Sequence, residues 1–131
     1  MGNVWLTIRI ADDNIYTMRT LLYMIEVYTQ NMYNGDIIMI KSFKNLETMR
    51  IYEQHYVKRI PVDVSRIALR KLIMMDNAEN INDLRIPPGN RLEKLSGDRE
   101  GQYSIRINDK YRICFQEIDN EFYDVEIVDY H

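Results

Sequence analysis

The chain has 131 residues, of which 46% are hydrophobic and 28% charged, and a formal net charge of −3 at pH 7, values that predict one compact domain with a core of its own. The small negative charge argues against sequence-independent coating of nucleic acid, although it leaves room for a local basic patch. No stretch reaches the roughly 18 consecutive apolar residues of a membrane span, and the start MGNVWLTIRIADD lacks the features of a signal peptide, so we expect a cytoplasmic protein without a membrane partner.

Residues 1–38 form an N-terminal extension that has two open interpretations. In DDNIYTMRTLLYMIEVYTQ, apolar residues recur at helical spacing at Ile15, Met18, Leu22 and Ile25, which predicts an amphipathic helix that packs on the rest of the chain or shields its active site. Alternatively, these residues are translated upstream DNA, because YNGDIIM can be encoded by a promoter-like element and a ribosome-binding site before an ATG codon at Met39. The intact mass of the natural protein distinguishes the two.

Residues 39–131 form the predicted domain, which begins with a short strand and two helices. The strand is IIMIKSF, and the first helix is NLETMRIYEQHYV, with Tyr56 on its apolar side. Pro61 closes this helix, and we predict Asp63 as the N-cap of the second helix, DVSRIALRKLIMMDN. The apolar stripe of the second helix leaves a basic side, which is either a solvated face or a binding surface.

Four strands separated by turns follow the break at Pro87, Pro88 and Gly89. The candidates are RLEKL, QYSIRI, YRICFQEI and FYDVEIV, with the turn-forming stretches GDREG, NDK and DNE between them at hairpin spacing. The sequence therefore predicts an α+β fold, in which an N-terminal strand and two helices precede a four-stranded antiparallel meander.

The last strand ends in a carboxylate, a phenol and an imidazole, in the sequence VEIVDYH. Alternation along a regular strand puts Asp129 and His131 on the same side as Tyr123, Val125 and Ile127. An acid and an imidazole at the rim of an apolar face are unfavourable unless they are hydrogen bonded or have a role. Either the tail simply frays, or its last three residues transfer protons in a reaction.

A group of arginines from neighbouring strands and turns surrounds a carboxylate. Glu93 lies among Arg91, Arg99, Arg106 and Arg112. This set fits RNA transesterification, in which a base takes the ribose 2′-hydroxyl proton, a cation stabilises the phosphoryl oxygens and an acid protonates the leaving 5′-oxygen. Glu, Arg and His side chains fill these roles without a metal or cofactor. The competing interpretation is an ordinary cross-strand ladder of ion pairs.

Cysteine and histidine usage indicates neither a disulfide nor a zinc site. Cys114 is the single cysteine, so it cannot form an internal disulfide, and its surroundings YRICF are typical of a small core residue. The two histidines lie far apart in the chain and do not supply a ligand set. His55 is predicted to be an incidental surface residue.

Four blocks, MIKSFK, IALRKL, PPGNRLEKLSGDREGQYSIRINDKYRICF and YDVEIVDYH, resemble the HigB branch of the RelE/ParE toxin superfamily, collinearly from Met39 to His131. The resemblance implies a small ribonuclease-like α+β fold, cleavage of mRNA in the A site of the ribosome, and inhibition by a HigA-type antitoxin with a helix-turn-helix domain. It also implies that Asp129, Tyr130 and His131 belong to the active site. Arg112 then stands at the position of the family's phosphate-stabilising arginine.

The sequence departs from the family at two positions, with Glu93 and Ser96 where better-studied HigB proteins carry a His and, three residues on, a Lys. We therefore assign Glu93 as the general base, because a carboxylate near arginines is ionised at pH 7, and His131 as the general acid. Lys58 and Arg59 are expected to join the basic side of the second helix in binding ribosomal RNA. The predicted RNA-binding residues are Arg66, Arg70, Lys71, Arg91, Arg99 and Arg106.

Two other functions stay open on the sequence alone. A ParE-like protein poisons DNA gyrase on the same fold without cutting RNA, and a degenerate member only binds its antitoxin and operator. The terminal Asp-Tyr-His sequence, with Glu93 and Arg112, favours the nuclease, because a gyrase-binding protein has no need of a proton donor at its last residue.

Overall fold

The computed structural model describes residues 7–10, 14–17 and 39–130, and the chain consists of two compact units, residues 1–37 and 38–131. In the first unit, β1 (Thr7–Ile10) and β2 (Asn14–Thr17) pair as an antiparallel hairpin. The predicted amphipathic helix is therefore wrong over Asn14–Thr17, because the β-branched residues in this stretch favour an extended backbone. The remainder of that helix prediction lies outside the described residues.

Within residues 39–130, the second unit contains two helices and a four-stranded antiparallel sheet. The helices are α1 (Leu46–Tyr52) and α2 (Val62–Asp76), and short 3₁₀ helices span Ile81–Arg85, Pro88–Asn90 and Gly97–Arg99. The strands are β3 (Glu93–Lys94), β4 (Gln102–Arg106), β5 (Tyr111–Ile118) and β6 (Glu121–Asp129), in the order β3-β4-β5-β6. This order confirms the predicted α+β fold with its antiparallel meander. None of the helices in the described ranges is long and apolar enough to cross a membrane.

The segment before α1 runs beside β6 and is paired with it at isolated points. Ile40 and Phe43 form parallel bridges to Phe122 and Val125. The Phe122 carbonyl accepts a hydrogen bond from the Lys41 N–H at 2.7 Å. The strand predicted at residues 37–43 is thus extended and paired in its described part, although it is too irregular to form a continuous ladder.

The helix α1 is shorter than the sequence predicted. Asn45 caps its start by accepting a hydrogen bond from the Thr48 N–H at 2.8 Å. The helix ends at Tyr52, and Gln54 follows with a left-handed φ of 67°, which a right-handed helix does not tolerate. Tyr56, predicted on the apolar side, consequently lies beyond the helix and is 73% exposed.

The start of α2 also differs from the prediction. Pro61 occupies the cap position and the helix begins at Val62, so Asp63 is not the N-cap. Proline at the cap supplies no side-chain hydrogen bond, and Asp63 instead lies in the first turn. Its carboxylate is favourable there because the N-terminal end of a helix carries partial positive charge.

The core lies between the helices and one face of the sheet. The apolar stripe predicted for α2 is confirmed by the burial of Val64, Ala68, Leu72 and Met75. These side chains belong to one buried cluster with the sheet residues Ile105, Ile113, Phe115, Phe122, Val125 and Ile127. The opposite face of the sheet carries polar and charged side chains, described below.

A bulge in β6 overturns the face predicted for Tyr123 in the last strand. The pairing with β5 shifts register in this region, and Asp124 has a left-handed φ of 53°. Phe122 is buried before the bulge, and Val125 and Ile127 are buried after it. Tyr123 therefore does not share a face with Val125, because the extra residue at Asp124 displaces the two-residue period by one position.

Beyond the bulge, β6 alternates regularly, which confirms the prediction that Asp129 shares the face of Val125 and Ile127. Counting from Val125 and Ile127, Asp129 continues the core-side series, whereas Tyr130 continues the series of Glu126 and Val128 on the other face. Asp129 and Tyr130 thus lie on opposite sides of the sheet. His131 lies outside the described residues.

Asp76, at the end of α2, joins three segments of the second unit. Its carboxylate accepts hydrogen bonds from the Ile40 N–H at 3.1 Å and from the Tyr52 hydroxyl. Burial raises the pKa of the Asp76 carboxyl above its ordinary value, although both hydrogen bonds act in the opposite direction. Burial and the neighbouring Asp76 likewise raise the pKa of the Tyr52 hydroxyl.

We expect the replacement Asp76→Asn to remove a pH-dependent part of the stability. A carboxyl whose folded-state pKa is raised contributes stability that is complete below about pH 4, its unfolded pKa, and is lost as the pH rises through the folded pKa. The free energy of unfolding of the protein minus that of the variant should therefore fall as the pH rises from about 4 to about 8. Urea denaturation measures this difference, with the exposed Asp98→Asn as control; a difference that stays constant or grows contradicts the assignment.

Candidate active site

The face of the sheet opposite the core brings together most of the residues predicted for the site. Strand pairing places Glu93 opposite Ser104, Ser104 opposite Cys114, and Cys114 opposite Glu126. These four residues form a row that crosses all four strands, since directly paired residues point to the same face. The next row of this face, which we call the site face, contains Arg106, Arg112 and Val128.

Arg112 lies on the site face with its guanidinium hydrogen bonded to three oxygen atoms. Its Nε donates to Ser104 Oγ at 2.8 Å, and its Nη2 donates to the Arg91 carbonyl at 2.7 Å and, at 3.5 Å, to the Ser104 carbonyl. Glu93 Oε2 lies 3.7 Å from Nη2, and the Arg112 side chain is only 14% exposed, against 57% for Glu93. The orientation of Arg112 is therefore set by uncharged acceptors. The exposed carboxylate of Glu93 is not needed to hold the guanidinium in place.

Tyr130 covers Arg112 and Cys114. Its ring centre lies 5.9 Å from the Arg112 guanidinium, and its hydroxyl is close enough to the Cys114 thiol for each to affect the pKa of the other. Burial raises the pKa of the Tyr130 hydroxyl, which Cys114 raises further and the nearby Arg99 and Arg112 lower. Burial also raises the pKa of the Cys114 thiol. Cys114 is buried, as predicted, although it lies beneath the site face and not within the main core cluster.

Arg99 is held against the site face by an ion pair. Its Nη1 donates to Glu126 Oε1 at 2.7 Å and to Gln102 Oε1 at 3.0 Å. The hydrogen bond to Glu126 raises the pKa of the Arg99 guanidinium. The structure therefore brings Arg99 to the predicted place, but it directs one of its donors at a protein carboxylate.

Positive charge is concentrated where the middle of α2 approaches Arg106 of the sheet. Arg106 lies directly opposite Arg112 on the neighbouring strand, an unfavourable pairing of like charges. Burial lowers the pKa of the Lys71 amine, and the nearby Arg106 and Arg70 lower it further. Arg106 Nη2 donates to Asp109 Oδ1 at 2.6 Å, which lowers the pKa of Asp109. This part of the surface keeps four cations together against their repulsion, as a site for an anionic ligand requires.

The remaining predicted site residues are not brought into this group. Asp129 follows the core-side series and lies 3.6 Å from Lys110 Nζ. Arg66 lines a groove between the helices, together with His55 and Tyr56, and His55 is exposed, as predicted. Among the described residues, no three His, Cys, Asp or Glu side chains converge to hold a metal ion.

Three residues that the sequence did not single out hold the basic groups in place. Ser104 and Glu126 contact Arg112 and Arg99, as described above. Asn90 is fully buried; its Nδ2 donates to the carbonyls of Leu84 and Ile86 at 3.1 and 3.3 Å, and its Oδ1 accepts from Lys71 Nζ at 2.5 Å. The sequence signals that could have identified these residues were weak. Ser104 lies two positions before Arg106, which places both on the same face of a strand, and Asn90 directly follows the Pro-Pro-Gly break.

Known proteins resemble this chain over most of its length. The family model described as the RelE-like toxin of type II toxin-antitoxin system HigB matches residues 41–131. Toxin HigB-1 of Vibrio cholerae is 43% identical over 82 residues, which are 62% of this chain and 86% of that protein. Endoribonuclease HigB of Proteus vulgaris is 38% identical over 94 residues, which are 71% of this chain and 100% of that protein. The solved YoeB-YefM complex from Staphylococcus aureus contains a chain that is 21% identical with a TM-score of 0.47, covering 70% of this chain and 97% of that one.

Proposed function

The chain belongs to the family of RelE-like HigB toxins of type II toxin-antitoxin systems, and we propose that it is an endoribonuclease that cuts mRNA through attack by the ribose 2′-hydroxyl. The family membership confirms the resemblance seen in the sequence. The name of the Proteus vulgaris relative, Endoribonuclease HigB, supports the nuclease over the gyrase-poisoning alternative. The structural observation that carries the proposal is the fixed, mostly buried guanidinium of Arg112 on the site face.

In this proposal Arg112 stabilises the charge that develops on the phosphoryl oxygens in the transition state. A donor that is already oriented needs no rearrangement when that charge appears, and low exposure to water strengthens its effect. The hydrogen bonds from Arg112 to Ser104 and the Arg91 carbonyl provide this orientation. Tyr130 limits the access of water from one side, because its ring lies over the guanidinium.

Glu93 is assigned as the general base that takes the 2′-hydroxyl proton. It lies on the same face as Arg112, with its Oε2 3.7 Å from the guanidinium, and its side chain is 57% exposed. A carboxylate in this setting can reach a bound ribose beside the phosphate that Arg112 contacts. Its ion pair with Arg112 is long and exposed enough to be released when RNA binds.

We assign proton donation to the leaving 5′-oxygen to His131. The assignment rests on the sequence, since His131 follows directly after Tyr130, and on the suitability of imidazole as an acid near neutral pH. Asp129 lies on the other side of the sheet from Arg112, so its role is limited to favouring the protonated form of His131 through its charge.

The cations around Arg112 are proposed to bind the RNA backbone. Arg70, Lys71, Arg91 and Arg106 extend the positive surface from the sheet to α2, and Arg99 adds charge near Tyr130. With a net charge of only −3 in the whole chain, RNA attraction depends on this local group. We therefore propose that the ribosome presents the message, with Arg66, Lys58 and Arg59 contacting ribosomal RNA, and that a HigA-type helix-turn-helix antitoxin inhibits the protein in the cytoplasm.

Mapping the ends of a defined mRNA after incubation with the purified protein tests this function. In a reconstituted translation system we expect cuts that require ribosomes, leave a 5′-hydroxyl and a 2′,3′-cyclic phosphate, and disappear when the mapped nucleotide carries a 2′-deoxyribose. Replacing His131→Gln should slow the cleavage by about 10²-fold. Fragments with a 5′-phosphate would contradict attack by the 2′-hydroxyl, and an intact message together with inhibited DNA supercoiling would favour gyrase poisoning.

A further inference from the structure

The two shortest hydrogen bonds of Arg112 are accepted by Ser104 Oγ and the Arg91 carbonyl, and we call these two acceptors the clamp. We propose that Ser104 and Asn90, which form and support the clamp, are positioning residues for RNA cleavage. The inference rests on the proposed function of Arg112. It assigns roles to two buried, uncharged residues that do not themselves need to contact the substrate.

The first arm of the clamp, Ser104 Oγ, fixes the Nε side of the Arg112 guanidinium. Ser104 is fully buried, and its hydroxyl accepts the hydrogen bond from Arg112 Nε at 2.8 Å. Because Ser104 lies in the middle of β4 and pairs with Cys114 on β5, its backbone position is fixed by the sheet. The Nε–H vector, and with it the plane of the guanidinium, is therefore tied to the rigid centre of the fold.

The second arm depends on Asn90. The Arg91 backbone is left-handed, with φ of 44°, and its carbonyl accepts the hydrogen bond from Arg112 Nη2 at 2.7 Å. The preceding Asn90 uses its amide to join the carbonyls of Leu84 and Ile86 with the amine of Lys71 on α2. Asn90 thereby anchors the loop that presents the Arg91 carbonyl, so a change at Asn90 reaches Arg112 through the backbone.

The surroundings of Arg112 explain why a clamp is needed. Arg106 stands directly opposite on β4 and repels Arg112, while Glu93, the nearby anion, is too exposed to fix a guanidinium. Without the clamp, Arg112 would turn away from Arg106 into positions that do not match the transition state. Loss of the clamp should therefore lower kcat more than it raises KM, because orientation matters most in the transition state.

The variant Ser104→Ala tests the first arm without a large change in volume. We expect a fall in kcat of about 10-fold to 100-fold, with KM changed by no more than about twofold. Asn90→Ala should give the same pattern. The matched control is Ser65→Ala, which removes the same hydroxyl from a serine of α2 outside the site face.

Two further measurements separate positioning from a general structural effect. In an Arg112→Ala background, Ser104→Ala should cause no additional loss, because its effect acts through Arg112; a full additional loss overturns the proposal. In the ¹⁵N spectrum, the Arg112 Nε–H signal should shift and exchange faster with water in Ser104→Ala. An unchanged signal overturns the proposal, and this test does not require that the protein cleaves RNA.

Absence of cleavage by the unaltered protein would instead count against the proposed function. Normal kcat in Ser104→Ala, beside a loss in Arg112→Ala, would overturn the clamp alone.

Discussion

Replacing Arg112→Ala is expected to lower the rate of mRNA cleavage by about 10²-fold to 10³-fold, the loss seen when one pre-oriented donor to a developing oxyanion is removed. The guanidinium is only 14% exposed and already held in position, so its interaction with phosphoryl oxygens is not diluted by water or by reorganisation. Arg112→Lys should recover only a small part of the loss. A lysine amine keeps the charge, but it cannot contact Ser104 Oγ and the Arg91 carbonyl through a planar group.

Single-turnover cleavage of ribosome-bound mRNA measures this effect directly. Arg50→Ala is the matched control, because Arg50 is an exposed arginine on α1, away from the site face. Circular dichroism and thermal melting should show that both variants keep the fold. Cleavage by Arg112→Ala within about threefold of the unaltered rate would remove Arg112 from the mechanism, since such a change is less than about 1 kcal/mol of transition-state stabilisation.

The fold was predictable where local sequence and tertiary structure favour the same conformation. The apolar residues of α2 recur with the period of a helix, and the same residues, Val64, Ala68, Leu72 and Met75, are buried. The turns between the strands of the meander were predictable because their residues tolerate the required backbone angles. The bulge in β6 was not predictable, because it involves a distant segment of the chain. Ser42 Oγ accepts a hydrogen bond from the Asp124 N–H, although the two residues are 82 positions apart in the sequence.

The site was predictable in its residue types and only partly in its arrangement. The cluster of charged residues identified Glu93, Arg106 and Arg112, which the sheet brings to one face. Ser104 and Asn90, which hold these charged residues in place, were not predicted. A serine in a strand or an asparagine in a loop indicates no role until its hydrogen-bond partner is known. The hydrogen bond from Arg112 to the Arg91 carbonyl joins residues 21 positions apart, and no local pattern predicts it. The face of Asp129 was predicted correctly from Val125 and Ile127, whereas the face of Tyr123 was missed because the bulge changes which residues of β6 share a face.

The variant Glu93→Gln is expected to lower the cleavage rate by about 10²-fold to 10⁴-fold, the range for loss of a general base. The amide has nearly the same shape as the carboxylate, but it cannot accept the 2′-hydroxyl proton. Stability should change by less than about 1 kcal/mol, because the contact with Arg112 is long and Glu93 is exposed. A large kinetic loss without a stability loss therefore distinguishes a base from a member of a structural ion-pair ladder.

A second substitution at the same position distinguishes proton transfer from simple charge effects. Glu93→His restores a group that can accept a proton but removes the negative charge beside Arg112. If Glu93 acts as the base, the histidine variant should cleave faster than Glu93→Gln by at least about tenfold above the imidazole pKa of roughly 6.5. If Glu93 only balances the charge of Arg112, both variants should be equally impaired or equally active. Glu79→Gln, at an exposed position after α2, controls for the loss of one carboxylate, and a Glu93→Gln rate within a few-fold of the control would exclude Glu93 as the base.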